Sequence, residues 1–147
     1  MRYAILMSLA LLVGCSSVET RTYTVEVKNE STRPLTVWLT KNGGVYEEGW
    51  KAPEDLAVEF PTMTELTEPL AGLKVPMGKT AFTDSVTGKF RPGVDAILRI
   101  YVGDLKFAEL LAVSRGASNR LEYTLHPGHN SFVVTDGPGG VKVETAQ

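Results

Sequence analysis

Tyr23-Thr24-Val25-Glu26-Val27-Lys28 alternates apolar and polar side chains without a break, and a few residues on Leu35, Val37 and Leu39 alternate with Thr36, Trp38 and Thr40. Side chains of a strand point to opposite faces in turn, so a period of two gives each segment one face for a core. Asn29-Glu30-Ser31-Thr32-Arg33-Pro34 between them is rich in turn formers, and the two segments read as an antiparallel hairpin. Trp38 stands opposite Leu35, Val37 and Leu39 on its strand, and burial on a second covered face is its favoured place.

Working outward toward the C-terminus, Lys41-Asn42-Gly43-Gly44 is the strongest tight-turn signal, because Asn and Gly tolerate the positive φ such turns require. A short extended piece is expected at Val45-Tyr46. Pro53-Glu54-Asp55-Leu56-Ala57 suits the first turn of a helix of one or two turns, with proline where no donor is needed and acids at the positive end of the dipole. Prolines 61, 69 and 76 interrupt the next stretch, leaving Leu70 to Val75 as an edge strand. Val94 to Val102 is the clearest central strand: Ala96, Leu98, Ile100 and Val102 on one side, Asp95, Ile97, Arg99 and Tyr101 on the other. Leu105 to Val113 is apolar enough for either a strand or a short helix. Arg120 to Leu125 alternates again, and Phe132-Val133-Val134 with Val141-Lys142-Val143 flank the turn Asp136 to Gly140 as a last hairpin.

About seven to nine short strands separated by turn signals predict an all-β fold, an antiparallel β-sandwich with at most one short helix. The fragment Leu125 to Val134, with its proline-glycine, asparagine and alternating apolar residues, is similar to a late hairpin of transthyretin-like and fibronectin-like sandwiches. The resemblance implies a sandwich of the Ig-like/transthyretin-like type and carries no function with it.

Working outward toward the N-terminus, Met1 and Arg2 precede an apolar run from Ala4 to Val13 broken only by Ser8, and the run ends in Leu12-Val13-Gly14-Cys15. About 20 apolar residues are needed to cross a bilayer, so this run is too short for a transmembrane helix. It resembles the lipobox signal peptide of bacterial lipoproteins. The resemblance implies that residues 1–14 are removed, that Cys15 carries lipid, and that the chain is held on a membrane of the cell envelope by several acyl chains, palmitate among them. Ser16 follows Cys15 where inner-membrane retention signals in such lipoproteins commonly carry Asp, so the outer membrane is the expected address in a host with two. Residues 15–21 then read as a lipidated polar tether and 22–147 as one sandwich domain.

Removing residues 1–14 from the 147 leaves 133, the size of one domain. Without Arg2 the remainder has 14 basic against 17 acidic residues, which excludes a basic nucleic-acid surface. Cys15 is the sole cysteine, so a lipid there leaves none for a disulfide or a metal.

The segment Tyr46, Glu47, Glu48, Trp50, Glu54 and Asp55 is the candidate ligand site, since aromatic faces stack on sugars or cations while carboxylates accept hydrogen bonds or bind calcium. The opposing reading makes Trp50 a core plug and the acids solvent-facing caps. His126 and His129, near Ser131 and Asp136, are too crowded into one turn to converge as a triad, and read as a solvated hairpin turn. Gly43-Gly44 and Gly137 to Gly140 lack the lysine and hydroxyl residue of a phosphate loop. No catalytic residue, metal site or cofactor is expected. The sequence favours a non-enzymatic, membrane-anchored binding or assembly module acting on an envelope protein or glycan. A calcium- or glycan-binding module using the 46–55 segment is the first alternative, and a small envelope hydrolase using its acids is the second, which requires facing carboxylates with at least one raised pKa.

Overall fold

The computed structural model describes residues 17–43, 50–59 and 71–146. In these residues nine strands, β1 (Glu19–Asn29), β2 (Leu35–Lys41), β3 (Ala71–Val75), β4 (Thr80–Phe82), β5 (Val86–Phe90), β6 (Ala96–Val102), β7 (Arg120–Thr124), β8 (Gly128–Gly137) and β9 (Gly140–Ala146), accompany two short helices, α1 (Pro53–Glu59) and α2 (Phe107–Ala112). One sheet runs β4-β1-β8-β9, with β5 continuing β4 along the same edge of β1, and the other runs β3-β2-β6-β7. The expected all-β sandwich is the fold. Neither helix is long and apolar enough to cross a membrane.

Alternation decides which side chains enter the core. Tyr23, Val25 and Val27 of β1, with Phe132 and Val134 of β8 beside them, pack in one core with Val37, Leu39, Leu98 and Ile100 of the other sheet, all buried. Outside, Thr24, Glu26 and Lys28 keep β1 wettable. The edge opposite β1 is broken at Thr83, whose N–H donates to the Val25 carbonyl while its hydroxyl accepts from the Val25 N–H, so a side chain carries the ladder between β4 and β5.

Five expectations are corrected. The segments 23–28 and 35–40 do not form a hairpin: β1 pairs with β4, β5 and β8, and β2 pairs with β3 and β6 in the other sheet. Asn29 makes the corner between them. Its buried amide donates to the carbonyls of Arg33 and Val75 and accepts from the Ser31 N–H and hydroxyl. Residues 126–130 are likewise a crossover between sheets rather than a hairpin turn, because Asn130 closes them by accepting from the His126 N–H and donating to the carbonyls of His126 and Gly128. The sandwich is antiparallel except for β1 and β8, which pair in parallel from Tyr23↔Gly128 to Asn29↔Val134. A second short helix, α2, forms within Leu105 to Val113, where strand and helix were both open. The polar tether expected to residue 21 is also shorter, since Glu19, Thr20 and Arg21 already pair with Phe90, Lys89 and Gly88.

Other expectations hold. β6 is central, β3 is an edge strand, β8 and β9 form the last hairpin, and α1 has about two turns. In α1, Pro53 opens the helix and the Asp55 carboxylate accepts from the Ala52 N–H, satisfying a donor that the helix cannot. In α2, Glu109 takes the Lys106 N–H in the same way. The extended piece expected at Val45-Tyr46 lies outside the described residues.

Both helices lie over the outer face of β2 and β6. Leu56 of α1 and Leu110 of α2 bury against Trp38 and Tyr101, forming a second apolar cluster outside the sandwich. Trp38 is 1% exposed and its Nε1 donates to the Lys51 carbonyl. β2 is therefore buried on both faces, as its tryptophan suggested.

Candidate functional site

Beside this second cluster the outer face of β2, β6 and β7 forms the floor of a cleft of about 740 Å³, which α1, α2 and the segment after α2 border. Period-two geometry puts Thr40, Ile97, Arg99, Arg120, Glu122 and Thr124 on that floor, and Glu54 reaches it from the first turn of α1. Leu111 and Val113 give it an apolar lip.

Four charged side chains cross-brace the floor. Arg99 Nη1 donates to Glu54 Oε2 at 2.8 Å, and Arg120 Nη1 donates to Glu54 Oε1 at 3.1 Å. Arg120 Nη2 and Nε donate to Glu122 Oε1 at 2.7 and 3.2 Å. Arg99 and Glu122 face each other in the register of β6 and β7, and Arg99 Nε comes within 3.0 Å of Glu122 Oε1. That approach is an ion pair only. The buried N–H is aimed off the hydrogen-bond direction and has no acceptor. Arg99 also donates to the Tyr101 hydroxyl at 3.4 Å, and Arg120 to the Val113 carbonyl at 3.3 Å, which fastens the end of α2 to β7.

The electrostatics follow from this packing. Burial pushes the Glu54 carboxyl up, but the hydrogen bond from Arg99, the helix backbone and the charges of Arg99 and Arg120 outweigh it and hold the group below its ordinary range. Glu122 is similar: burial raises it, while the Arg120 hydrogen bond and the charges of Arg99, Arg120 and Arg115 bring it lower than usual. Burial raises the Tyr101 hydroxyl. Both carboxylates are thus ionised at neutral pH and committed to arginine.

The residues expected to form a ligand site are divided by the structure. Tyr46, Glu47, Glu48 and Cys15, the residue expected to carry lipid, lie outside the described residues. Trp50 packs edge-on against Tyr23 and Phe90, with ring centroids 5.6 and 5.5 Å away, and so plugs the sandwich. Its φ of 63° is a left-handed conformation that a bulky residue rarely adopts, held here by the ring in the core and by the Thr40 hydroxyl on its carbonyl. Asp55 caps α1. Of the six, Glu54 alone among the described residues reaches the cleft.

The histidines do not converge with the acid and hydroxyl near them in sequence. His129 Nδ1 lies 3.2 Å from the Thr24 hydroxyl on the exposed face of the other sheet. Asp136 accepts from the Thr32 N–H and hydroxyl, seven positions and about 23 Å along β8. No group of three or more His, Cys, Asp or Glu side chains among the described residues is placed to hold a metal ion.

Arg99, Arg120 and Glu122 were not singled out by sequence. Their signal was there: each is a charge at an outward position of an alternating strand, and Arg99 lies between Ile97 and Tyr101 on its face, where a solvated face would not ordinarily be so apolar. No protein-family model and no curated protein matches this chain.

Proposed function

We propose that this chain is a lipid-anchored lipoprotein of the cell envelope, carried on Cys15, which works by binding a partner or ligand in the cleft above β2, β6 and β7 and not by catalysis. The observation that carries this reading is the bracing of Glu54 and Glu122. A hydrolase built on two carboxylates needs one that keeps a proton near neutral pH, which burial without a cationic partner provides. Here arginine donors grip both carboxylates, and both titrate lower than usual. Groups so fixed give a cleft a constant pattern of donors and acceptors, which serves recognition.

The residues Leu12-Val13-Gly14-Cys15 support the anchor, and Ser16 supports an outer-membrane address. β1 enters the sheet at Glu19, so only residues 16–18 separate Cys15 from the rigid domain. At roughly 3.5 Å per extended residue the domain then stays within about 15 Å of its lipid. Such a module serves partners at the membrane surface.

Two measurements test the reading. Cys15→Ser is expected to move the protein out of the membrane fraction, and unchanged fractionation refutes the anchor. Thermal melting of the full chain against a panel of envelope peptides, sugars and calcium is expected to rise with one ligand class by mass action. Turnover of an ester or glycan that Glu54→Gln abolishes would overturn the binding reading.

A further inference from the structure

We infer that the cleft above β2, β6 and β7 takes a peptide segment carrying a carboxylate beside an apolar side chain, with Arg115 as the residue that captures the carboxylate. The inference rests on the binding role proposed above and names its ligand chemistry.

Charge in the cleft is the first ground. Arg99 and Arg120 are neutralised by Glu54 and Glu122, to which they are bonded in a closed set. Arg115 lines the same cleft and shares Glu122, which Arg99 and Arg120 already hold, through a long ion pair. Its Nε stands 4.0 Å from Glu122 Oε2, beyond hydrogen-bond reach, and its side chain is 86% exposed. Among the described lining residues four cations, Lys41, Arg99, Arg115 and Arg120, face two acids, and the Lys41 ammonium is engaged by the Lys89 carbonyl and the Phe90 ring, which leaves Arg115 as the cation turned to solvent. A guanidinium presents a planar fork of donors that fits a carboxylate, and no carboxylate among the described residues hydrogen-bonds this one.

The lining is the second ground. Leu111, 38% exposed, with Val113 and Ile97 forms an apolar strip beside the cation. Ser114 and Thr124 supply hydroxyl groups of the kind that bond a peptide backbone. None of the described lining residues is aromatic, whereas sugar rings are usually held on aromatic faces. A volume of about 740 Å³ lies in the range of cavities that bury a ligand of a few residues.

The test uses the full chain and a fluorescent peptide of alternating glutamate and leucine blocked at both ends, with glutamine-leucine and lysine-leucine peptides as comparators. A glutamine-leucine peptide with a free C-terminus separates a chain-end carboxylate from a side-chain one, and binding by either acid form supports the inference. Binding of an acidic form is expected to fall roughly tenfold or more in Arg115→Glu, as for a lost charge-assisted hydrogen bond. Because Arg115 is exposed, reversing its charge beside Glu122 should lower the melting temperature only slightly and leave a cooperative transition, so loss of binding is not loss of fold. Leu111→Ser should weaken the same peptide without altering its dependence on charge. Equal binding of the glutamate and lysine peptides, acidic binding that survives Arg115→Glu, or no binding of any acidic form overturns the inference. A sugar that raises the melting temperature while acidic peptides do not would leave the binding module standing and remove this ligand from it.

Discussion

Arg120 holds more of the cleft than any other side chain. It is 6% exposed, and its three guanidinium nitrogens bond Glu54, Glu122 and the Val113 carbonyl. Removing it leaves two carboxylates with Arg99 and the exposed, distant Arg115, so Arg120→Ala is expected to lower stability by about 2–4 kcal/mol in chemical denaturation, as for a broken buried pair. A loss of under about 1 kcal/mol would mean that the network is solvated and weak. The same network sets a response to acid. Glu54 and Glu122 titrate lower in the fold than the ordinary value of 4.5, so the unfolded chain binds more protons as pH falls. Their contribution is therefore complete above about pH 4.5 and is lost as pH drops through their folded values. Glu54 is 43% exposed, which screens its share, and a Glu54→Gln/Glu122→Gln variant should show a shallower fall in melting temperature below about pH 4.5 than the parent chain. An identical slope would place the acid sensitivity elsewhere. At this scale the sequence was partly legible. Alternation put Arg99 and Tyr101 outward together, but Glu54, Arg99, Arg120 and Glu122 come from three segments, and no local pattern joins them.

Among the elements, β5 and the segment at Trp50 constrain one another. Gly88 has ordinary backbone angles, yet a Cβ there would lie 2.6 Å from Trp50 Nε1 and 2.9 Å from Phe90 Cε2. Both are ring atoms of the core cluster with little room to move. Gly88→Ala is accordingly expected to destabilise by about 1–3 kcal/mol through overpacking, with a shift in tryptophan emission as Trp50 is displaced. Unaltered emission and stability would show the slot to be loose. The strands themselves were read well, because a period of two survives in β1, β6 and β7 wherever one face meets the core and the other does not. The pairing of β1 with β2 was misread because turn residues mark where a chain bends and not which sheet it enters. Asn29 looks like a turn former and is a buried corner post bonded to Val75 of a third segment. Leu105 to Val113 was ambiguous for a related reason: its apolar residues serve a helix docked on Trp38, and length alone does not separate that from a strand.

For the whole molecule, the parallel pairing of β1 with β8 has kinetic consequences. Thr24 meets His129 across 105 residues of chain, and every strand partner of β1 lies in the second half of the sequence. The first strand is thus an interior member of its sheet that cannot be placed until much later segments have formed. Loop closure must precede any reward from such contacts, which places refolding in roughly the millisecond-to-second range and not in microseconds. Two tryptophans report on different parts of this event. Trp50 packs within the sandwich against Tyr23 of β1, and Trp38 lies in the cluster that α1 and α2 form on the outer face. Trp38 belongs to β2, whose neighbours β3 and β6 both lie nearer to it in sequence than β8 lies to β1, so the second sheet with its helices can assemble before β1 is closed in by β8. Stopped-flow refolding of Trp50→Phe, which leaves Trp38 as the probe, is expected to run at least as fast as that of Trp38→Phe, which leaves Trp50, after each rate is corrected for the stability of its variant. A faster phase from Trp50 would reverse the order, making β1 part of the nucleus and the cleft-bearing sheet the later element.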